Sequence, residues 1–241
     1  MGHRHTSGWV ALTWGGGLLF VASLAYGIWV YMVRLGTVPD VSGVAPVVAV
    51  SMNLVLFLLF ASHHSLMARS VPKAWISRIV GPRSERAVYV WVASLLFFGM
   101  CALWQPVAGY AWRLHSPWAW IGRGLQLMGL LVLVRAVRSL EILHFAGIRR
   151  ASPPTAPARE ITPLTTAGPY GWVRHPIYLG TLLVLGGTPD MTLGRFTFVA
   201  ATAAYLAVAV RWEERSLVDS FGDAYVRYQR QVRWRILPFI Y

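Results

Sequence analysis

The sequence predicts an all-α protein, a polytopic membrane helical bundle with four full spans and a C-terminal helical hairpin. Three observations carry that prediction. Hydrophobic residues make up 56% of the 241 residues and charged residues only 13%, against roughly a quarter charged in an ordinary soluble domain. Apolar runs near 20 residues long recur along the chain, the length a helix needs to cross a hydrocarbon layer of ~30 Å. The basic residues are concentrated between and after those runs rather than inside them, as in the connections of a membrane protein.

The full spans are predicted at Trp9 to Val33, Val44 to Ala61, Ala87 to Gln105 and Trp118 to Val134. The first run is longer than the roughly 7 to 15 residues of a signal-peptide core, which predicts a retained transmembrane helix. A fifth apolar region, Ile177 to Val210, is interrupted by Gly186-Gly187-Thr188-Pro189-Asp190. Gly and Pro in succession end a helix and turn the chain, so this region is predicted to be a hairpin whose first arm is short. The connection from Ser152 to Pro163 is rich in Pro and polar residues and reads as an extended surface segment. No repeat or separate soluble domain is visible. The chain is read as one membrane domain, 1–241, with N-terminal helices in 1–150 and the motif region in 164–241.

Charge sets the expected topology. The segment Ser62 to Arg86 carries Arg69, Lys73, Arg78, Arg83 and Arg86 against Glu85, whereas Arg34 to Gly43 and Pro106 to Pro117 carry one basic residue each. The positive-inside rule places the first of these in the cytoplasm. Counting spans puts Arg149, Arg150, Arg159 and Arg174 there too. The tail bearing Arg215, Arg227, Arg230, Arg233 and Arg235 returns to that side only if an even number of crossings follows the fourth span, which independently supports the hairpin. The net charge of +13 therefore reads as topology, and nucleic acid is excluded as a partner. Cys101 is the only cysteine, so neither an intramolecular disulfide nor a cysteine zinc site is expected, and no metal is assigned.

The chemistry-bearing segment is Gly168-Pro169-Tyr170-Gly171-Trp172-Val173-Arg174-His175-Pro176-Ile177-Tyr178-Leu179-Gly180, followed some thirty residues later by Glu213-Glu214. Each cluster alone reads blandly, as a positive flank or a solvated helix end. Together they read differently, because the predicted hairpin folds both to the same membrane face, where Arg, His, Glu and aromatic rings converge on a ligand site. Polar groups beside membrane-length apolar runs are costly unless they have partners or work.

This compound pattern, continued by Leu217, Phe221-Gly222, Tyr225, Tyr228 and Val232 through Pro238, resembles the C-terminal half of the isoprenylcysteine carboxyl methyltransferase superfamily of integral-membrane enzymes. The resemblance implies S-adenosyl-L-methionine as cofactor, bound by Gly168, Pro169, Tyr170, Arg174, His175, Pro176, Tyr178, Gly180, Glu213 and Glu214. Within that reading Arg174 suits the donor's carboxylate. Glu213 or Glu214 suits its ammonium or ribose, and the Tyr170, Trp172 or Tyr178 faces suit its sulfonium. His175 suits the amino-acid part or the adenine, and the glycines allow close backbone approach.

In the N-terminal half, His64-Ser65-Leu66-Met67-Ala68-Arg69, Glu85 to Val90, Trp104-Gln105-Pro106 and His144-Phe145-x-Gly147-Ile148-Arg149 resemble the bacterial methanethiol S-methyltransferases and relatives with an NnrU-like N-terminal region. The implied reaction is S-methylation of a small thiol such as methanethiol, giving dimethyl sulfide. Thiols are poorly ionised at neutral pH, so a base helps, and His64 and His144 are the catalytic candidates. Their bland alternative is an interfacial histidine in a local hydrogen bond. A prenylcysteine carboxylate or a lipid as acceptor, an NADPH-dependent membrane reductase sharing Arg-His-x-x-Tyr-x-Gly, and a non-enzymatic NnrU-like accessory protein stay open. The expected partners are a small or hydrophobic methyl acceptor and membrane lipids. The expected location is the bacterial inner membrane with the cofactor site in the cytoplasm.

Overall fold

A computed structural model describes residues 3–38, 44–67, 69–82, 84–139 and 164–241. It is an all-α membrane bundle. Helices α1 (His3–Met32), α2 (Pro46–Met67), α3 (Ser70–Val80), α4 (Glu85–Leu103) and α5 (Trp118–Arg138) are followed by α6 (Pro176–Gly186), α7 (Leu193–Phe221) and α8 (Asp223–Gln231). Strands β1 (Tyr110–Arg113) and β2 (Asp190–Thr192) form a two-stranded sheet. Five helices are long and apolar enough to cross a membrane: the stretch Ala11–Gly36 together with α2, α4, α5 and α7. These are the four expected spans plus the long arm of the expected hairpin. The short arm, α6, has 11 residues, about 16 Å of helix against ~30 Å of hydrocarbon. His144 and the segment Ser152 to Pro163 lie outside the described residues.

The helices cluster into two compact units. The first comprises the described residues up to Gly109 together with Thr192–Thr197. Here α1 and α4 interlock through notches: a Cβ at Gly15 would stand 2.9 Å from the Trp91 ring, and one at Gly27 would stand 2.6 Å from Phe97. Only glycine lets these rings sink against α1, which is how membrane helices approach closely without a hydrophobic force of their own. Trp91 Nε1 donates to the Leu12 carbonyl at 2.9 Å, and Tyr26 stacks on Phe98 with centroids 4.4 Å apart. Helix ends leave carbonyls without partners, and the half-buried Arg34 and the buried Arg195 supply them. Arg34 donates to the Cys101, Ala102 and Trp104 carbonyls at 3.3, 2.8 and 3.1 Å. Arg195 donates to those of Tyr31 and Met32 at 3.1 and 2.7 Å. Asn53, fully buried, holds the Gln105 backbone twice: its Nδ2 donates to the Gln105 carbonyl at 2.9 Å and its Oδ1 accepts from the Gln105 N–H at 2.7 Å.

The second unit comprises the described residues of Tyr110–Ile142, Pro154–Met191 and Phe198–Tyr241. Its scaffold is the crossing of α5 and α6 on matched glycines. A Cβ at Gly129 would stand 2.8 Å from the Gly180 carbonyl, and one at Gly122 would stand 2.6 Å from that of Gly187. Each pair is seven residues apart on its own helix, two turns, so both fall on one face. Gln126 reinforces the crossing, donating to the Val184 carbonyl at 3.1 Å and the Thr188 hydroxyl at 3.2 Å. Against the other side of α6, Val173, Leu179, Leu206, Val210 and Ile236 form an apolar core with α7 and the tail. A second core of Tyr225, Tyr228 and Val232 holds α8 down, with Leu217, Val218 and Phe221 of α7 around it.

Candidate functional site

The motif segment is built as a turn, an irregular pair and a helix start. Gly168 has φ +64°, a conformation that side chains disfavour, and opens a single 3-10 turn, Gly168–Gly171, with Pro169 and Tyr170 buried. The Tyr170 carbonyl accepts a hydrogen bond from the Tyr228 hydroxyl at 2.7 Å. Arg174 and His175 follow in irregular backbone. Their N–H groups donate to the Trp234 and Arg235 carbonyls at 2.9 and 2.8 Å, two consecutive bonds that tie the segment to the tail. Pro176 then starts α6 at the first helical position, where its missing N–H costs nothing. This order of backbone states turns the Arg174 and His175 side chains inward, leaving them 8% and 6% exposed.

Glu214 is the hub. It is 4% exposed and accepts from Arg174 Nε at 2.6 Å and Arg235 Nε at 3.0 Å, with Gln229 Nε2 at 3.4 Å. Arg174 NH1 donates to the Val232 and Arg233 carbonyls at 2.6 and 2.9 Å. Two buried charges would be expensive apart; together, with two backbone carbonyls and Arg235 adding further hydrogen bonds, they hold a fixed geometry. Of the Arg174 nitrogens only NH2 has no hydrogen bond to a described residue. His175 stacks on Tyr178 with centroids 5.3 Å apart and 16° between planes. Its Nε2 is 3.4 Å from Glu214 Oε1 without hydrogen-bond alignment, and it is a buried nitrogen with no partner among the described residues.

Glu213 differs from its neighbour. Its side chain is 45% exposed, lies 3.7 Å from His175 Nδ1, and accepts from the Tyr178 hydroxyl at 2.5 Å. Burial, then the negative charge of Glu213, pushes Tyr170 up to about 12. Burial likewise raises Tyr225 and Tyr228, which keeps the Tyr228 phenol a donor to the Tyr170 carbonyl. Burial works to lower Arg235, but its hydrogen bond and charge pairing with Glu214 outweigh this and raise it. The cluster sets one carboxylate between two guanidiniums, with a second carboxylate and an imidazole at its edge.

The fold thus brings Tyr170, Arg174, His175, Pro176, Tyr178, Glu213 and Glu214 together in one unit. Gly168 and Pro169 shape the turn that leads in. Gly180 is occupied elsewhere: a Cβ there would stand 2.7 Å from Leu133 and 2.8 Å from the Gly129 carbonyl, so its bareness serves the α5 crossing. His64 belongs to the first unit, where its Nδ1 lies 2.9 Å from the Tyr89 hydroxyl and its ring stacks on Phe60. The superfamily resemblance runs through Tyr228 and Val232 to Pro238 without assigning any of them a role, and Gln229 is absent from it; the structure gives Arg235, Gln229, Tyr228 and the Val232 and Arg233 carbonyls their places around Arg174 and Glu214. The available signal was the spacing Tyr225, Tyr228, Val232, an inward helical face that delivers the tail onto Arg174.

No family model matches the chain. It is 33% identical over 240 residues to the methanethiol S-methyltransferase of Mycobacterium tuberculosis (strain ATCC 25618 / H37Rv), covering 92% of each chain. It is also 33% identical over 211 residues to that of Pseudomonas deceptionensis, covering 81% of this chain and 76% of the relative. The chain belongs to the methanethiol S-methyltransferase family. Membership makes it a membrane methyltransferase, and the accessory and reductase alternatives fall away. A more distant likeness, 26% over 202 residues, connects the family member to Nurim of Sus scrofa, covering 79% of this chain and 74% of that one. A methyltransferase of this family needs a site for a methyl donor, and the Arg174–Glu214 cluster is the candidate.

Proposed function

We propose that the protein S-methylates a small thiol, methanethiol giving dimethyl sulfide, with S-adenosyl-L-methionine as donor bound at the Arg174–Glu214 cluster. The names of its relatives supply the substrate class. The observation that carries the site is the half-exposed Glu213 carboxylate, set against the His175 ring and the Tyr178 hydroxyl at the edge of a fixed ionic hub, since charged groups beside an apolar helix are costly unless they have partners or work. The groups present fit a zwitterionic, positively charged donor. Glu213 faces outward to meet an ammonium or ribose hydroxyls, and Arg174 NH2 can meet a carboxylate. The rings of Tyr170 and Tyr178 offer π faces to a cation. Gly168, Pro169, Pro176 and Gly180 act through backbone shape.

The donor supplies a methyl group on a positively charged sulfur. The chain's own task is to hold the acceptor sulfur in line with that carbon and to accept the thiol proton. The acceptor's S–H proton would pass to a base while its sulfur takes up the methyl group, the donor being left as the neutral thioether. His64 and His144 are the proposed bases. His64 Nδ1 lies 2.9 Å from the Tyr89 hydroxyl; the base role requires the tautomer in which Nδ1–H donates to that oxygen, leaving the other ring nitrogen to accept the proton. The positive-inside argument puts this chemistry on the cytoplasmic face of the bacterial inner membrane.

The test is purified protein with a labelled methyl donor, offered methanethiol, a prenylcysteine and phosphatidylethanolamine in parallel, with headspace chromatography for dimethyl sulfide. Label in dimethyl sulfide is the expected result. Label only in the prenylcysteine or the lipid would overturn the acceptor assignment while keeping the donor site, and no transfer to any of the three would overturn the reading.

A further inference from the structure

Residues 232–241 form a strap that is pinned at one end to Arg174 and closed at the other by a turn. The Tyr241 carbonyl oxygen accepts the N–H groups of Arg235, Ile236 and Leu237 at 3.0, 2.9 and 3.0 Å. Within that turn Phe239 has φ +65°, and the Phe239 and Ile240 side chains are 85% and 77% exposed. Adjacent large apolar side chains held this far out of the protein mark an interaction surface.

The level of the turn along α7 identifies what covers it. The Tyr241 hydroxyl donates to the Ala207 carbonyl at 3.1 Å and accepts from Arg211 Nε at 3.1 Å. Ala207 lies in the last turn of the apolar part of α7, which ends at Val210; Arg211, Trp212, Glu213 and Glu214 follow. The turn therefore sits where hydrocarbon gives way to head groups. Its neighbours are those of a membrane interface. Trp212 is 48% exposed with the Arg215 guanidinium 5.0 Å over its ring, and Trp234 lies 5.5 Å from the Phe239 ring. Trp and Arg at that depth anchor proteins to the head-group zone. From Ala224 onward the chain has no acidic residue, while Arg227, Arg230 and Arg233 are exposed, a complement to anionic phospholipid.

We infer that Phe239 and Ile240 insert into the head-group and upper acyl zone of the leaflet on the Arg174 side, making the strap a membrane-anchored element. The partner is the bilayer itself. The strap carries the Val232 and Arg233 carbonyls that hold Arg174 and the Arg235 that holds Glu214. Anchoring its turn therefore fixes the groups behind the ionic hub, whatever acceptor is methylated.

The test uses the full chain in nanodiscs of zwitterionic and anionic phospholipid. Cys101 is the only cysteine and is buried, so Cys101→Ser gives a clean background for Phe239→Cys, Ile240→Cys and, as an exposed reference at the start of α8, Asp223→Cys. Each is labelled with a small fluorophore and quenched by aqueous iodide and by a lipid carrying a nitroxide high on its acyl chain. At 239 and 240 the expected result is loss of most of the iodide quenching seen at 223, together with strong quenching by the nitroxide lipid. Iodide quenching at 239 and 240 equal to that at 223 would overturn the inference. Shielding from both quenchers would do so as well, by placing protein on the turn. All three positions are exposed, so the substitutions disturb no core.

Discussion

Replacing Glu214 with Gln separates a positioning role from a ligand role. The change keeps the shape of the side chain but removes its charge and turns one acceptor oxygen into an amide that can only donate. Arg174 and Arg235, at 2.6 and 3.0 Å, then face each other across a neutral group. The two arginines respond differently. The Arg235 side chain is 36% exposed and can turn toward water, so its half of the loss is small, under about 1 kcal/mol for a solvated pair. The Arg174 side chain is 6% exposed and pinned by the carbonyls of Val232 and Arg233, so it stays buried with its charge uncompensated. Breaking a buried pair costs ~3 to 5 kcal/mol, and the lower end is appropriate because both carbonyl bonds persist. About 3 kcal/mol in a chain of this size lowers Tm by roughly 6 to 12 °C. Tryptophan fluorescence during heating of the purified protein measures this, and calorimetry with S-adenosylhomocysteine follows binding. The expected outcome is loss of both stability and affinity, with stability largely restored when Arg174 and Glu214 are both replaced by Leu, because the unpaired charge is then gone. A Glu214→Gln protein with wild-type Tm would refute the hub, and weakened binding at unchanged Tm would make Glu214 a ligand contact instead.

Glu213→Gln should behave in the opposite way: Tm within a degree or two, since the residue is exposed, and S-adenosylhomocysteine affinity reduced roughly tenfold, the worth of one charge-assisted hydrogen bond. Gly180→Val drives two methyl groups into the Gly129 carbonyl and Leu133, and overpacking of this kind costs about 1 to 3 kcal/mol or more, read as a lowered Tm, whereas Gly186→Ala, with nothing within 4 Å of an added Cβ, should leave Tm unchanged. His64→Ala should lower thiol methylation ~10² to 10⁴-fold near neutral pH if it removes a general base, with recovery as pH rises toward ionisation of the thiol itself; a pH-independent defect assigns it a structural role beside Tyr89. Cysteines introduced at Arg78 and Arg233 should react only with reagent on the cytoplasmic side and one at Arg113 only from the other, and labelling of Arg233→Cys from outside alone would refute the topology.

The spans and the hairpin were legible because membrane segments announce themselves by length and apolarity, and because Gly186 to Asp190 cannot continue a helix. Helix α3 was not, since Ser70–Val80 was weighed for its Arg and Lys, and an 11-residue helix is too short to stand out by hydropathy. The strands at Tyr110–Arg113 and Asp190–Thr192 are shorter still and depend on a pairing between residues about eighty positions apart. In the site, the residue types were legible but their partners were not. Arg174 beside Glu214 is the case in point: charge and spacing marked both as ligand groups, yet each is the other's main partner, because the tail folds back to add Arg235 and two carbonyls that local sequence does not foretell. A reading by residue type alone assigns every convergent charge to the ligand. Burial divides them. Glu214 and most of Arg174 are consumed in fixing the geometry, and the groups left for the proposed donor are Glu213, the His175 ring, one nitrogen of Arg174 and the faces of two tyrosines. That smaller set has the composition a methyl donor calls for, a negative group for its ammonium, a positive one for its carboxylate and π surface for its sulfonium, and the ionic hub is what keeps those groups in place before anything binds.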